Sequence, residues 1–320
     1  MRTIIVSAAN QGYSGLVEDL LSSIRRFSEM DAFDVGVLDL GLSEPSRSSM
    51  RSRGIVLVEP GWDIDLGSRM QSAPHLRAMT ARPFLNRYFP DHDIIVWLDA
   101  DIWIQDPEAL SLYVQGAAEH GFAATPEIDR SYQTHHGPNA FTDFHDAVYR
   151  ECFGPELGAK LRRFSLINSG AFAGKSSSPV WQHWAEIYER IANRTEVPHA
   201  EQAALNAAVW MEWETSGIAL LPAVCNWICS LARPLWDQDR CLLVEPNLPH
   251  APIGLVHMAG STAPVTIKTL RGDEIHSSLR LSDIRHLCPA GRMPIRHFPP
   301  NLETPPGYPL SREGTLLGRE

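Results

Sequence analysis

Two aspartates stand two residues apart in the segment DIIVWLDADIWIQDP, residues 93–107, where most of their neighbours are apolar. Ile94 to Leu98 reads as a buried strand, and Ile102 to Ile104 continues the apolar character beyond Asp99 and Asp101. An uncompensated carboxylate is costly to bury, and two are worse. In an extended segment residues i and i+2 face one side, about 7 Å apart along the chain. Two carboxylates so placed suit one hard divalent cation, which neutralises both and also takes oxygens from a ligand such as a diphosphate. The plainer alternative is that the strand ends at Leu98 and the aspartates cap a turn.

The surrounding elements place the pair. TIIVSA (3–8), DVGVLDL (34–40), GIVLVEP (54–60) and the strand at 93–99 are β-branched or apolar runs. A helical pattern runs through Leu16, Leu20 and Ile24, and PHLRAMTARPFLNRYF reads as one amphipathic helix ahead of the Asp-x-Asp strand. Strands alternating with helices predict an α/β fold with a mostly parallel sheet covered on both faces. Ligands bind such sheets at the carboxyl ends of the strands. Asn10 to Tyr13 follow the first strand and Asp99 to Asp101 end the fourth, so both are expected at the ligand. A strand-end Asp-x-Asp also provides nucleophile and acid/base in haloacid-dehalogenase-like phosphatases. There it closes the first strand and is followed by Thr or Val and Leu. Here three strands precede it.

Beyond residue 125 the pattern loosens. SYQTHHGPNAFTDFHDAVYRECFG reads as a loop and a helix, FSLINSGAFAG as a strand, roughly 178–193 and 199–212 as helices, and IGLVHMAGS (253–261) as a late strand entering a turn. Seven prolines between 289 and 309 mark a tail with little regular structure. The expected organisation is one domain over 1–285, with a nucleotide-binding half (1–125) and an acceptor and catalytic half (126–285), then a Pro-rich tail (286–320).

Composition narrows the function classes. The chain of 320 residues is 44% hydrophobic and 21% charged, as in an ordinary globular protein. A net charge of −10 without a basic cluster argues against a nucleic-acid partner. Five cysteines, odd in number and irregularly spaced, are no disulfide framework. Cys225 and Cys229 could share a helix face, but small buried thiols are the simpler reading. MRTIIVSAAN lacks the length and cleavage pattern of a signal peptide, no run approaches a membrane span, and the Asn193-Arg194-Thr195 sequon then reads as chance. A reduced, cytoplasmic protein is expected.

Several segments fall into one pattern. SAANQGYSGLVEDLLSSI, DVGVLDLGLSEPSR, TARPFLNRYFPDHDIIVWLDADIWIQDPEAL, LINSGAFAG, HAEQAALNAAVW and LVHMAGS, in this order over residues 3 to 265, resemble the glycosyltransferases of family 8. That family has the GT-A fold, Rossmann-like with helices on both faces, and its members are retaining enzymes that use nucleotide sugars. The resemblance implies that Ala8, Asn10 and Tyr13 meet the base and ribose and that Arg82 and Ala100 lie near the donor. It puts Asp99, Asp101 and His257 on a metal, and Asn168 and Ser169 in the sugar pocket. Glu201 and Gln202 would lie beside the anomeric carbon, and Gly260 near the diphosphate. Two carboxylates and an imidazole suit Mn²⁺ better than Mg²⁺. A retaining, metal-dependent transferase is therefore expected, moving a hexose from a UDP-sugar to a glycan, glycolipid or small hydroxyl acceptor. Peripheral membrane contact is compatible with it.

The chain departs from the family pattern twice. Asn10 stands where the family has a base-contacting Asp, and Ala263-Pro264-Val265 stands where Lys-Pro-Trp usually follows the His-x-x-Gly loop. Lys268 or Arg271 would then have to hold the diphosphate from a shifted position. A nucleotide-sugar-binding protein that keeps the fold without useful catalysis is the alternative these departures motivate.

Overall fold

A computed structural model describes residues 1–132, 142–192, 195, 199–260 and 262–288. The part of the acceptor segment at 133–141, Asn193 and Arg194 of the sequon, and the tail from 289 lie outside the described residues.

The strands in chain order are β1 (Thr3–Ala9), β2 (Asp34–Asp39), β3 (Val56–Val58), β4 (Ile94–Leu98), β5 (Ile102–Ile104), β6 (Phe122–Pro126), β7 (Ile167–Lys175) and β8 (Ala219–Leu220). All but β5 form one seven-stranded sheet in the order β3-β2-β1-β4-β7-β6-β8. It is mostly parallel: only β7 runs antiparallel, to both β4 and β6. Short strands complete the carboxyl-end layer: β9 (Trp227–Ile228), β10 (Leu235–Asp237), β11 (Leu242–Val244), β12 (Leu255–His257), β13 (Val265–Lys268) and β14 (Glu274–Ser277). Of these, β12 lies between β5 and β9 in a three-stranded sheet.

The longer helices among the described residues are α1 (Ser14–Ile24), α2 (Glu44–Ser52), α3 (Glu108–His120), α4 (Thr142–Leu161), α5 (Pro179–Ala192) and α6 (Ala200–Ser216). Alternation of side chains along each strand divides the interior into two cores. Ile4, Val6, Ile95 and Trp97 pack with Trp184 of α5 and Leu205 of α6, whereas Ile5, Ile94, Val96 and Leu98 pack with Leu20 of α1 and Leu110 of α3. Ile4–Val6 of β1 and all of β4 are unbroken apolar runs because both faces of the sheet are covered. A third core gathers Trp103, Trp227, Trp236 and Val256 under the small sheets. Among the described residues no helix is long and apolar enough to cross a membrane.

Several sequence expectations change in detail. PHLRAMTARPFLNRYF is not one helix but four short pieces, Pro74–Leu76, Arg77–Ala81, Arg82–Phe84 and Leu85–Tyr88. Pro83 has no N–H to donate and its ring crowds the preceding turn, so a regular helix cannot pass through it. The third strand shrinks to Val56–Val58 and the late strand to Leu255–His257. Cys225 lies in a 3₁₀ turn (Ala223–Asn226) and Cys229 just beyond β9, so they share no helix; all five cysteines are free thiols.

Candidate active site

The opening pair of aspartates is not extended. Asp99, Ala100 and Asp101 form a turn between β4 and β5, closed by Ile102 N–H donating to the Asp99 carbonyl at 3.0 Å. The strand does end at Leu98, as the capping reading requires. Yet the turn itself brings the carboxylates together. Antiparallel pairing sets His257 of β12 opposite Ile102, and Met258 N–H donates to the Asp101 carbonyl at 3.0 Å. One ligand atom each from Asp99, Asp101 and His257 consequently lie within 4.8 Å of one another.

The surroundings fit a cation. Asp99 Oδ1 accepts from Trp97 Nε1 at 2.8 Å and from Arg82 Nη2, which leaves Oδ2 for a further partner. Gly170 packs against that side: a Cβ on it would meet His257 Cε1 at 2.5 Å and Asp99 Oδ2 at 3.0 Å. A side chain there would occupy the space between the ligands. Burial pushes the Asp101 carboxyl up, and the Asp99 charge adds to this while His257 opposes it. The donor set of two carboxylates and one imidazole suits Mn²⁺.

A second cluster adjoins the first. Arg82, 6% exposed, ion-pairs with Asp99 on one side and, at 3.1 Å, with Glu201 Oε2 on the other, while lying over the Trp97 ring at 4.8 Å. Ser169 Oγ donates to Glu201 Oε2 at 3.0 Å, and Ser169 N–H donates to Gln202 Oε1 at 3.1 Å. Gln202 therefore has its oxygen committed. Glu201 Oε1 is buried without a hydrogen-bond partner. Burial pushes the Glu201 carboxyl up to about 7, even though Arg82 and Ser169 pull it down. Both residues sit in the first turn of α6, which Asn206 clamps to β7: its Oδ1 accepts from Ile167 N–H at 2.7 Å and its Nδ2 donates to the Ile167 carbonyl at 2.9 Å.

A polar relay supports the Asp99–Asp101–His257 group from behind. His257 Nδ1 lies 2.9 Å from Asn226 Oδ1, Asn226 Nδ2 donates to Asn168 Oδ1 at 3.2 Å, and Asn168 Nδ2 donates to Glu127 Oε1 at 2.9 Å. Asn168 is thus tied into the relay, its oxygen also accepting from Gly170 N–H at 2.9 Å. Glu127 is pushed up to about 7 by burial, with the Asn168 hydrogen bond opposing. A carboxyl raised from 4.5 to about 7 retains its proton in the folded state where the unfolded chain has lost it. Its stabilising contribution is complete below pH 4.5 and is lost as pH rises through about 7. Glu127→Gln should remove this loss. Between pH 5 and pH 8 the wild type should lose roughly 1–2 kcal/mol more stability than the variant, an amount reduced by Glu127's partial solvent exposure. Urea denaturation at the two pH values measures the difference, and parallel losses would contradict it.

The residues expected at the nucleotide lie along the same sheet end. Val6 pairs with Trp97, so the segment from Ala8 to Tyr13 leaves β1 beside the Asp99 turn. Asn10 caps the short 3₁₀ helix Gln11–Tyr13, its Oδ1 accepting from Tyr13 N–H at 3.1 Å, and the Tyr13 ring is 52% exposed. Asp39 at the end of β2 accepts from Leu42 N–H at 2.7 Å, Gly41 N–H at 2.9 Å and Arg47 Nε at 2.5 Å. Gly260 takes φ +86° in the turn after β12, with open space where a Cβ would stand. Lys268 is exposed on the β13–β14 hairpin and Arg271 pairs with Asp239; among the described residues no hydrogen bond or ion pair joins either to the acidic cluster.

The structure thus brings Arg82, Asp99, Asp101, Asn168, Ser169, Glu201, Gln202 and His257 into one connected site and leaves Lys268 apart. Sequence reasoning missed Trp97, Glu127, Gly170 and Asn226. Only Gly170 carried a signal, as the glycine of LINSGAFAG, and only in hindsight of what it packs against.

No protein-family model matches the chain, and no curated protein matches it. Solved structures do. The galactosyltransferase LgtC in complex with donor and acceptor sugar analogs is 15% identical, with 81% of this chain and 88% of that chain covered at a TM-score of 0.50. Mouse xyloside xylosyltransferase 1 in its apo form is 12% identical, covering 70% of this chain and 85% of that chain at 0.45. GlyE of Streptococcus pneumoniae TIGR4 is 18% identical, covering 71% of this chain and 47% of that chain at 0.42. Together with the seven-stranded, mostly parallel sheet and its helical layers, the first of these likenesses shows that the chain has the fold of the GT-A glycosyltransferases.

Proposed function

We propose that the chain is a retaining glycosyltransferase, with residues 1–285 as one catalytic domain, that moves a hexose from a UDP-sugar to a glycan, glycolipid or small hydroxyl acceptor with Mn²⁺ at the diphosphate. The observation that carries this reading is the Asp99–Asp101–His257 group joined through Arg82 to Glu201, Ser169 and Gln202 at the carboxyl end of the central strands. A bound divalent cation would supply Lewis acidity toward the departing diphosphate. The chain's own groups do the rest. Arg82 and Trp97 hold Asp99 Oδ1 so that Oδ2 faces the site. Gln202, its oxygen fixed by Ser169, offers Nε2–H to a sugar oxygen, and the buried Glu201 carboxyl holds Arg82 and Ser169 in place beside it. Tyr13 is exposed enough to stack on a base.

Transfer breaks the bond from the anomeric carbon to the diphosphate oxygen and joins that carbon to the acceptor oxygen, while the acceptor hydroxyl gives up its proton to the departing diphosphate. Retention is supported by Gln202 and Glu201 in the first turn of α6: an amide is no base, and the Glu201 carboxyl is held by Arg82 and Ser169. The first-formed product of an α-linked donor should therefore be α-linked by proton NMR, and a β-linkage would refute retention. Titration calorimetry in Mn²⁺ should show UDP binding more tightly than GDP, ADP or CDP; a preference for GDP would sink the donor assignment. The isolation of Lys268 favours one second reading, a nucleotide-sugar-binding protein without turnover.

A further inference from the structure

The relay behind the metal group has a direction, and the direction decides the state of His257. A backbone N–H only donates. Gly170 N–H meets Asn168 at 2.9 Å, so the Asn168 atom there is its oxygen. The same oxygen faces Asn226 at 3.2 Å, so Asn226 presents its nitrogen to it. Asn226 must then turn its oxygen to His257 Nδ1, 2.9 Å away. An amide oxygen only accepts, which puts the imidazole proton on Nδ1. Asn226 and His257 are 1% and 3% exposed, so solvent does not compete for either partner.

We infer that Asn226 is a positioning residue that fixes His257 as the Nδ1–H tautomer and turns the Nε2 lone pair toward Asp101 and Asp99. His257 Nε2 lies 3.6 Å from Asp101 Oδ1, too far for a hydrogen bond. In the neutral ring a lone pair facing a carboxylate across that gap is repulsive; protonation of Nε2 relieves it at low pH and a bound cation relieves it at pH 8, where two bonds of about 2.1 Å span the gap at an open angle. The other face of the imidazole is thus spent on holding the ring, as in metal sites where a ligating histidine donates its second N–H to an oxygen. Asn226 meets Asn168 and His257. It acts through His257. The consequence for metal affinity rests on the proposed metal-dependent function, whereas the tautomer does not.

The test begins with the full chain, labelled with ¹⁵N-histidine, in cation-free buffer at pH 8. Long-range ¹H–¹⁵N correlation spectra should show His257 protonated on Nδ1. In Asn226→Leu, which keeps the volume and removes the acceptor, that signature should give way to the Nε2–H form or a mixture. The Mn²⁺ dissociation constant measured with saturating UDP should rise roughly 10- to 100-fold in the same variant. Asn226→Asp restores an acceptor and should return both the Nδ1–H signature and most of the Mn²⁺ affinity, which general loosening of the site would not do. A wild-type His257 in the Nε2–H form would overturn the inference without any variant, and so would an unchanged tautomer in Asn226→Leu. A wild type with the Nδ1–H form that fails to bind Mn²⁺ would sink the metal reading alone and leave the tautomer assignment standing.

Discussion

Asp101→Asn is expected to remove the rise in melting temperature that Mn²⁺ with UDP gives the wild type, and to lower transfer by roughly 10²–10³-fold. The substitution keeps the shape of the side chain and removes one charge from the three-ligand group. Groups aimed at charge that builds in the transition state contribute on this scale when removed. Without cation, the same variant should be as stable as the wild type or slightly more so. Burial and the neighbouring Asp99 disfavour a charge at Asp101, and an amide relieves both. A structural capping role predicts the opposite sign, a loss of about 1 kcal/mol in EDTA. The geometry speaks against that role, since the turn is closed by its own backbone through Ile102 N–H. Melting curves of both proteins in EDTA and in Mn²⁺ with UDP separate the two. A wild type indifferent to Mn²⁺ with saturating nucleotide, and a variant that melts earlier in EDTA, would mean that the metal site does not exist.

Arg82→Met should be the most destabilising single change at the site. Methionine fills much of the same volume over Trp97 but leaves Glu201, 3% exposed, without its cation. Removing one partner of a buried ion pair costs about 3–5 kcal/mol. The cost should depend on pH. Arg82 is the strongest influence holding the Glu201 carboxyl down, so its loss moves that group further above about 7. A carboxyl raised in the folded state stabilises fully below its unfolded value near 4.5 and loses that contribution as pH rises through the folded value. The deficit of Arg82→Met should therefore be larger at pH 8 than at pH 5. Urea titrations at both values measure it, and equal deficits would show that Glu201 is not the group left uncompensated.

What the sequence disclosed and what it concealed follow from distance along the chain. The strands were legible because burial on both faces demands unbroken apolar runs, and Ile94 to Leu98 supplies one. Asp99 and Asp101 stood out for the same reason, as charges where a core strand should end. Their arrangement was misread: local geometry is a turn, and the carboxylates converge because the chain reverses into β5 rather than because it stays extended. Arg82, Ser169, Glu201, Gln202 and His257 were legible only through order-preserving resemblance, since no local pattern marks them. Asn226 was invisible even so. It meets His257 across 31 residues, through the parallel pairing of β9 with β12, and two-residue strands leave no periodicity to read. Gly170 is hidden for a different reason. Its need is set by His257 and Asp99, which arrive from other elements. Lys268, a charge near the expected place in sequence, lies on an exposed hairpin, a position that sequence spacing alone does not specify.

The most direct test of the central claim is release of UDP from UDP-hexoses with and without Mn²⁺, each offered with glycan, glycolipid and small hydroxyl acceptors. UDP release is expected with at least one hexose donor, dependent on Mn²⁺ and lost in Asp101→Asn. Clear binding of UDP-sugars with no release from any donor, whatever the acceptor, would contradict it and leave a binding protein of the same fold.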